Sequence, residues 1–92
     1  MTRHPARNLA NQIRASAAGL PRKDRLAAGR RANEIDRLAN RAECAAEHFE
    51  ACESSLVAWF SDADKAAREA RAAAAKIAAD TAWAAANAVL NG

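Results

Sequence analysis

Residues 35–59 read IDRLANRAECAAEHFEACESSLVAW, and the spacing within this stretch decides the fold. Ile35, Ala42, Phe49 and Leu56 stand seven apart, and Leu38, Ala45, Cys52 and Trp59 repeat the interval three residues later. Two apolar positions per seven, offset by three, keep one stripe of an α-helix turned toward a partner helix. The pattern predicts a long helix over about residues 22–60. Ile35, Leu38, Phe49, Cys52, Leu56 and Trp59 are expected to lie buried along its seam. Near its start, Gly29-Arg30-Arg31 leaves three readings open: a kink, a short break or a weak spot.

On the N-terminal side, Ala6, Leu9, Ala10, Ile13, Ala17 and Leu20 recur at three- and four-residue steps and form one helical face. A first helix is expected over about 5–18, with Pro5 at its opening, where a missing N–H costs nothing. Gly19 is expected to supply a left-handed cap, and Leu20-Pro21 to stop the helix. On the C-terminal side, Ser61-Asp62-Ala63-Asp64 reads as a helix start: serine caps, and acids suit the positive end of the dipole. The third helix is expected over about 62–90. A tight hairpin at Phe60-Ser61 is the reading adopted, one continuous helix its competitor. An antiparallel hairpin would set Arg68 near Glu53 and Arg71 near Glu50. The fold class is thus all-α, a small antiparallel three-helix bundle in one domain, residues 1–92, built as a long helical hairpin plus an N-terminal helix with coiled-coil-like packing.

The third helix is apolar on two sides. With Ile77 as reference and about 100° per residue, Ala66, Ala70, Ala84 and Ala88 share its side, which is expected to pack on the second helix. Trp83 and Leu90 fall opposite, beside Ala72, Ala79 and Ala86. One neighbour cannot cover both sides. The first helix, a partner or a second copy are the candidates for covering Trp83 and Leu90, since tryptophan is a frequent interface anchor.

Alanine fills 29 of the 92 positions, whereas Leu, Ile, Val, Phe and Trp together fill 15. Alanine favours helix but contributes little burial energy, and a large side chain contributes about 1.5–3 kcal/mol. A core this thin predicts help from self-association or a partner. The opening Met1-Thr2-Arg3-His4-Pro5 leads into a polar helix rather than an apolar run, so no signal peptide is expected. The Ala-rich tail is interrupted by Lys76 and Asp80, so no membrane span is expected. Two cysteines make no disulfide framework, which fits a reducing, cytoplasmic setting.

Cys44, His48 and Cys52 stand four apart on one helix. Successive members could share a metal in pairs, but the outer two are about 12 Å apart along the axis at ~1.5 Å per residue. The expected reading is a seam cysteine, an exposed cysteine and a flanking histidine, with no metal site and no cofactor. Glu43, Glu47 and Glu50 are read as a solvated outer face, since Ala45 stands where a Glu-x-x-His pair would need its glutamate. His48 is the sole candidate base, His4 being placed in a frayed start. No nucleophile elbow, phosphate loop, HExxH or paired-Cys zinc pattern is present. No catalytic residue is assigned, and a non-enzyme is expected.

The net charge of +3 conceals a split: residues 1–41 carry +7 and residues 42–92 carry −4. Six acids and no Lys or Arg lie between Ala42 and Asp64. Arg7, Arg14, Arg22, Lys23, Arg25, Arg30, Arg31, Arg37 and Arg41 form a candidate basic surface for an acidic protein or ribonucleoprotein, or for nucleic acid directly. No aromatic residue interleaves with them, which is wrong for single-strand stacking. In size and motif-poor character the chain resembles the small inhibitors and adaptors that phages and mobile elements encode, anti-CRISPR proteins among them. That likeness carries over no residue. Three classes of function follow: a protein–protein interaction module acting by surface occlusion, a basic nucleic-acid-binding helical protein, and a homodimeric coiled-coil subunit.

Overall fold

The computed structural model describes residues 3–91. The part of the opening segment formed by Met1-Thr2 lies outside them, as does Gly92. Three helices follow in order: α1 (Ala6–Ala17), α2 (Arg22–Ser54) and α3 (Asp62–Asn91), with a single 3-10 turn, Ser55–Val57, extending α2. The described residues contain no strand, and the all-α bundle expected from the heptads is what the chain forms. α1 runs antiparallel to α2 from the start of α2 as far as Glu43: Arg7 meets Glu43 and Arg14 meets Asp36. α3 runs antiparallel to α2 from its C-terminal end back past its middle: Arg68 reaches the Ser55 carbonyl at one end, and Val89 packs beside the Ala32–Ile35–Ala39 cluster at the other. This stagger draws the bundle out into a rod of 62 × 20 × 17 Å.

The interfaces are made of alanine. Every fully buried apolar residue except Ile35 is alanine: Ala6, Ala10 and Ala17 on α1, Ala32, Ala39 and Ala42 on α2, and Ala72, Ala75, Ala79 and Ala86 on α3. Small side chains let helix axes approach closely. The α1 face predicted by periodicity is the buried one, with Leu9 and Ile13 packed at its edge.

Along α2 the seam holds in part. Ile35 is buried, and Leu38, Phe49, Cys52 and Leu56 are half-buried. Trp59 is not on the seam: it is 47% exposed. The α-helix stops at Ser54 rather than near residue 60, because Ser54 and Ser55 turn their hydroxyls back to the carbonyls of Glu50 and Cys52 at 3.0 and 2.7 Å. The hairpin at Phe60-Ser61 is present. Ser61 Oγ accepts the Asp64 N–H at 3.1 Å, the cap expected of it, and Asp64 Oδ2 accepts the Phe60 N–H at 3.0 Å. That second bond, with the Arg68 guanidinium, holds the Asp64 carboxyl below its ordinary value. Arg68 therefore locks the turn through Asp64 and the Ser55 carbonyl instead of pairing with Glu53. No Arg71–Glu50 pair is present among the described residues.

The face of α3 is the reverse of the expected one. Ala72, Ala75, Ala79 and Ala86 are buried with Trp83 half-buried beside them, while Ile77 is 69% exposed. Burying one Trp removes more apolar surface than burying one Ile, and the β-branched bulk of Ile77 would hold the helices apart.

Gly29 lies inside unbroken helix, so the short break is ruled out. Gly19 does not take the left-handed conformation either; no described glycine has positive φ. Pro21, extended at φ −55° and ψ 155°, makes the corner instead. A Cβ built on Gly29 meets nothing within 4 Å. Gly29→Ala is expected to stabilise the protein by about 0.5–1 kcal/mol, because alanine loses less backbone entropy in a helix. Thermal unfolding followed by circular dichroism checks it; an unchanged or lowered midpoint would show α2 interrupted there.

Candidate functional site

His4, expected in a frayed start, is the most enclosed large side chain of the protein, 1% exposed. Its backbone N–H donates to Glu43 Oε2 at 2.8 Å. Its Nδ1 accepts the Ala6 N–H at 3.0 Å, satisfying one of the donors that a helix N-terminus leaves open. An accepting Nδ1 places the ring proton on Nε2, which donates to Asn87 Oδ1 at 2.8 Å. The ring also meets Trp83 edge-on, centroids 4.5 Å apart. One residue thus caps α1 and ties it to α2 and α3 together.

Glu43 completes this junction. It is 8% exposed, not on a solvated outer face as expected. Arg7 grips it with Nε at 2.8 and 2.9 Å and Nη2 at 2.6 Å. The wheel explains the misreading: position 43 turns toward α1, a helix whose packing cannot be read from α2 alone. The Arg7 hydrogen bonds, and then the His4 N–H, outweigh desolvation and bring the Glu43 carboxyl from 4.5 to about 2.

The junction divides the nine basic residues. Arg7 is consumed by Glu43, and Arg14 by Asp36 at 2.6 Å and Asn33 at 2.9 Å. Arg22, Lys23, Arg25, Arg30, Arg31, Arg37 and Arg41 are exposed and take part in no ion pair among the described residues. Lys23, Arg30 and Arg37 are seven apart, and Arg41 is one turn on, so these four share one outer stripe of α2. Beside the stripe are two adjoining shallow grooves. One is lined by Arg31, Glu34, Ile35, Leu38 and Val89, the other by Glu34, Arg37, Leu38 and Arg41. An apolar floor of Ile35, Leu38 and Val89 therefore carries a rim of three guanidinium groups and the Glu34 carboxylate.

The two apolar candidates separate. Trp83 is half-buried under His4, so the N-terminal segment covers much of it. Leu90 stays 43% exposed beside the Val89 end of the groove. The most exposed apolar side chains lie elsewhere, at the α2–α3 turn, where Val57 is 86% and Phe60 95% exposed. The sequence carried a signal for them: Ser54-Ser55 and Ser61-Asp62 bracket five residues of which four are large and apolar.

Cys52 Sγ lies 3.6 Å from His48 Nε2, while Cys44 Sγ turns to Asn40 Oδ1 at 4.0 Å. No three His, Cys, Asp or Glu side chains among the described residues converge on a metal-sized site. No described helix is long and apolar enough to cross a membrane. Comparison with known protein families, with curated proteins and with solved structures finds no match.

The depressed Glu43 carboxyl makes stability depend on pH. Its folded value lies below its unfolded one, so its contribution is whole above about pH 4.5 and is lost as pH falls toward 2. Urea unfolding is expected to show wild-type stability declining across that window. Glu43→Gln should flatten the decline and cost about 1–3 kcal/mol at neutral pH. An unaltered slope in the variant would mean that other carboxylates set the acid transition.

Proposed function

We propose that this chain is a non-enzymatic, cytoplasmic protein–protein interaction module that works by occluding a surface of its target. The observation that carries this reading is the groove with the Ile35–Leu38–Val89 floor, rimmed by Arg31, Arg37 and Arg41. Cations free of internal partners repel one another, and an acidic surface relieves that repulsion while speeding encounter. The apolar floor favours a protein over bare phosphate: protein interfaces combine a dehydrated apolar centre with a polar rim, and Arg is enriched in them. The target we infer is a protein or ribonucleoprotein with an acidic patch flanking an apolar projection. Small phage or mobile-element inhibitors, anti-CRISPR proteins among them, are the subtype that the chain's size and motif-poor sequence support.

A second reading, direct nucleic-acid binding, draws on the Lys23–Arg30–Arg37–Arg41 stripe, and one experiment separates the two. Tagged wild-type and Arg37→Glu/Arg41→Glu proteins are used to capture partners from nuclease-treated lysate, with identification by mass spectrometry. The partner is then purified and its association rate measured at low and high salt. Wild type is expected to retain one protein partner after nuclease, with association slowing as salt rises. The double reversal should slow association on the order of tenfold and remove most of the salt dependence. Partner retention that needs intact nucleic acid would move the reading to the second class. Unchanged kinetics in the double variant would assign the stripe to solubility.

A further inference from the structure

The α2–α3 turn and the α1–α2 end of the rod both expose apolar surface, are flanked by charges of opposite sign, and lie at opposite ends of one molecule. At the turn, Phe60 and Val57 project almost wholly into solvent. They do not sit on a loose loop. The Phe60 N–H is held by Asp64, Arg68 ties Asp64 to the Ser55 carbonyl, and Lys65 Nζ lies 4.8 Å from the centre of the Trp59 ring. A rigid apolar knob loses little entropy when it docks. Around it Glu50, Glu53 and Asp62 are exposed and in no ion pair among the described residues.

At the far end, a groove between α1 and α2 is lined by Leu9, Ile13, Ala17, Leu20 and Ala28 with two polar side chains, Gln12 and Ser16. Leu20 on its wall is 43% exposed. Arg25 lines the adjoining hollow that shares Ala17. Arg22 and Lys23 are exposed on the same turn of α2. Because knob and groove belong to opposite ends of a 62 Å rod, no single molecule can join them.

We propose that the occupant of this groove is the α2–α3 turn of a second copy, in an antiparallel dimer. Charge is the argument that selects a second copy. Residues 9–31, around the groove, carry six Lys or Arg against one acid, and residues 50–71, around the knob, carry three against five. Two rods with charge separated along their length lie lowest in Coulomb energy when side by side and antiparallel, basic half against acidic half. That arrangement makes the knob-in-groove contact twice, related by a two-fold axis, and closes without leaving a free knob. Phe60 and Val57 enter between Leu20 and Ile13, and Asp62 and Glu53 face Arg25 and Arg22. The proposal is independent of the target-binding groove, whose Arg37 and Arg41 it does not use.

The test is the solution mass of the full-length protein by sedimentation equilibrium from micromolar to millimolar concentration. Wild type should reach, and not exceed, twice its 9.8 kDa mass, with dimerisation weakened by salt. Phe60→Asp and Leu20→Asp should each weaken dimerisation at least tenfold while keeping the wild-type circular dichroism. Mixing the two variants should restore association, because one intact knob then meets one intact groove. Exchanging charge in one chain, Asp62→Arg with Arg25→Asp, should recover what either change alone loses. A wild-type protein that stays monomeric at millimolar concentration overturns the proposal. So does mass that grows without limit, which marks an open head-to-tail chain, and so does a mixture that associates no better than its components.

Discussion

The grip of Arg7 on Glu43, with the His4 backbone N–H on the same carboxylate, is the contact on which the arrangement of the three helices depends. Alanine interfaces are close but weakly selective. Each methyl buries little surface, and one alanine ladder fits another in several registers that differ by a turn. A bidentate guanidinium–carboxylate pair tolerates no such shift, because both groups are planar and the donors form a fixed fork. His4 extends the constraint to the third helix through Asn87 and Trp83. The polar junction sets the register, and the alanines then supply close contact along the length that the register allows.

Partial burial of the charges is consistent with this role. Arg7 and Glu43 keep 26% and 11% of their side-chain surface, so neither pays the full desolvation cost of a dry ion pair. The gain lies in specificity as much as in stability. Leaving Glu43 without Arg7 would strand a carboxylate against a helix interface, whereas the intact pair satisfies it from two directions. No buried side-chain polar atom among the described residues lacks a partner. A thin core can hold a polar centre only on that condition.

What could be read in the sequence divides along the same line. The α1 face, the Ile35 end of the seam and the Ser61 cap were legible because each depends on residues within a few turns of one another. His4 and Glu43 were not, since their burial depends on partners 39 and 83 residues away. A histidine near a chain end and a glutamate among glutamates look solvated by local rules. The choice of α3 face failed for a different reason. Ile77 and Trp83 made opposite claims on one helix, and periodicity weighs them equally, whereas the area each can bury does not. Of the basic surface, the residues that remained free could be distinguished from Arg7 and Arg14 only once α1 had been placed against Asp36 and Glu43.

The stagger that the junction enforces also explains why so small a protein leaves so much surface open. α1 lies along α2 as far as Glu43, α3 lies along it from Ser55 back to Ala32, and all three meet where His4 lies. The α1–α2 turn and the α2–α3 turn are the two ends of one unbroken helix of 33 residues, at about 1.5 Å per residue, so the first is held far from Glu50, Glu53 and Asp62. With a screening length of about 8 Å at physiological salt, charges at the two ends of a 62 Å rod do not sense each other. The cations of Arg22, Lys23 and Arg25 and the acids of the α2–α3 turn therefore remain available for intermolecular contact. The charge split visible in the sequence acquires its meaning from geometry: it separates two binding ends because one continuous helix, α2, holds the two turns apart.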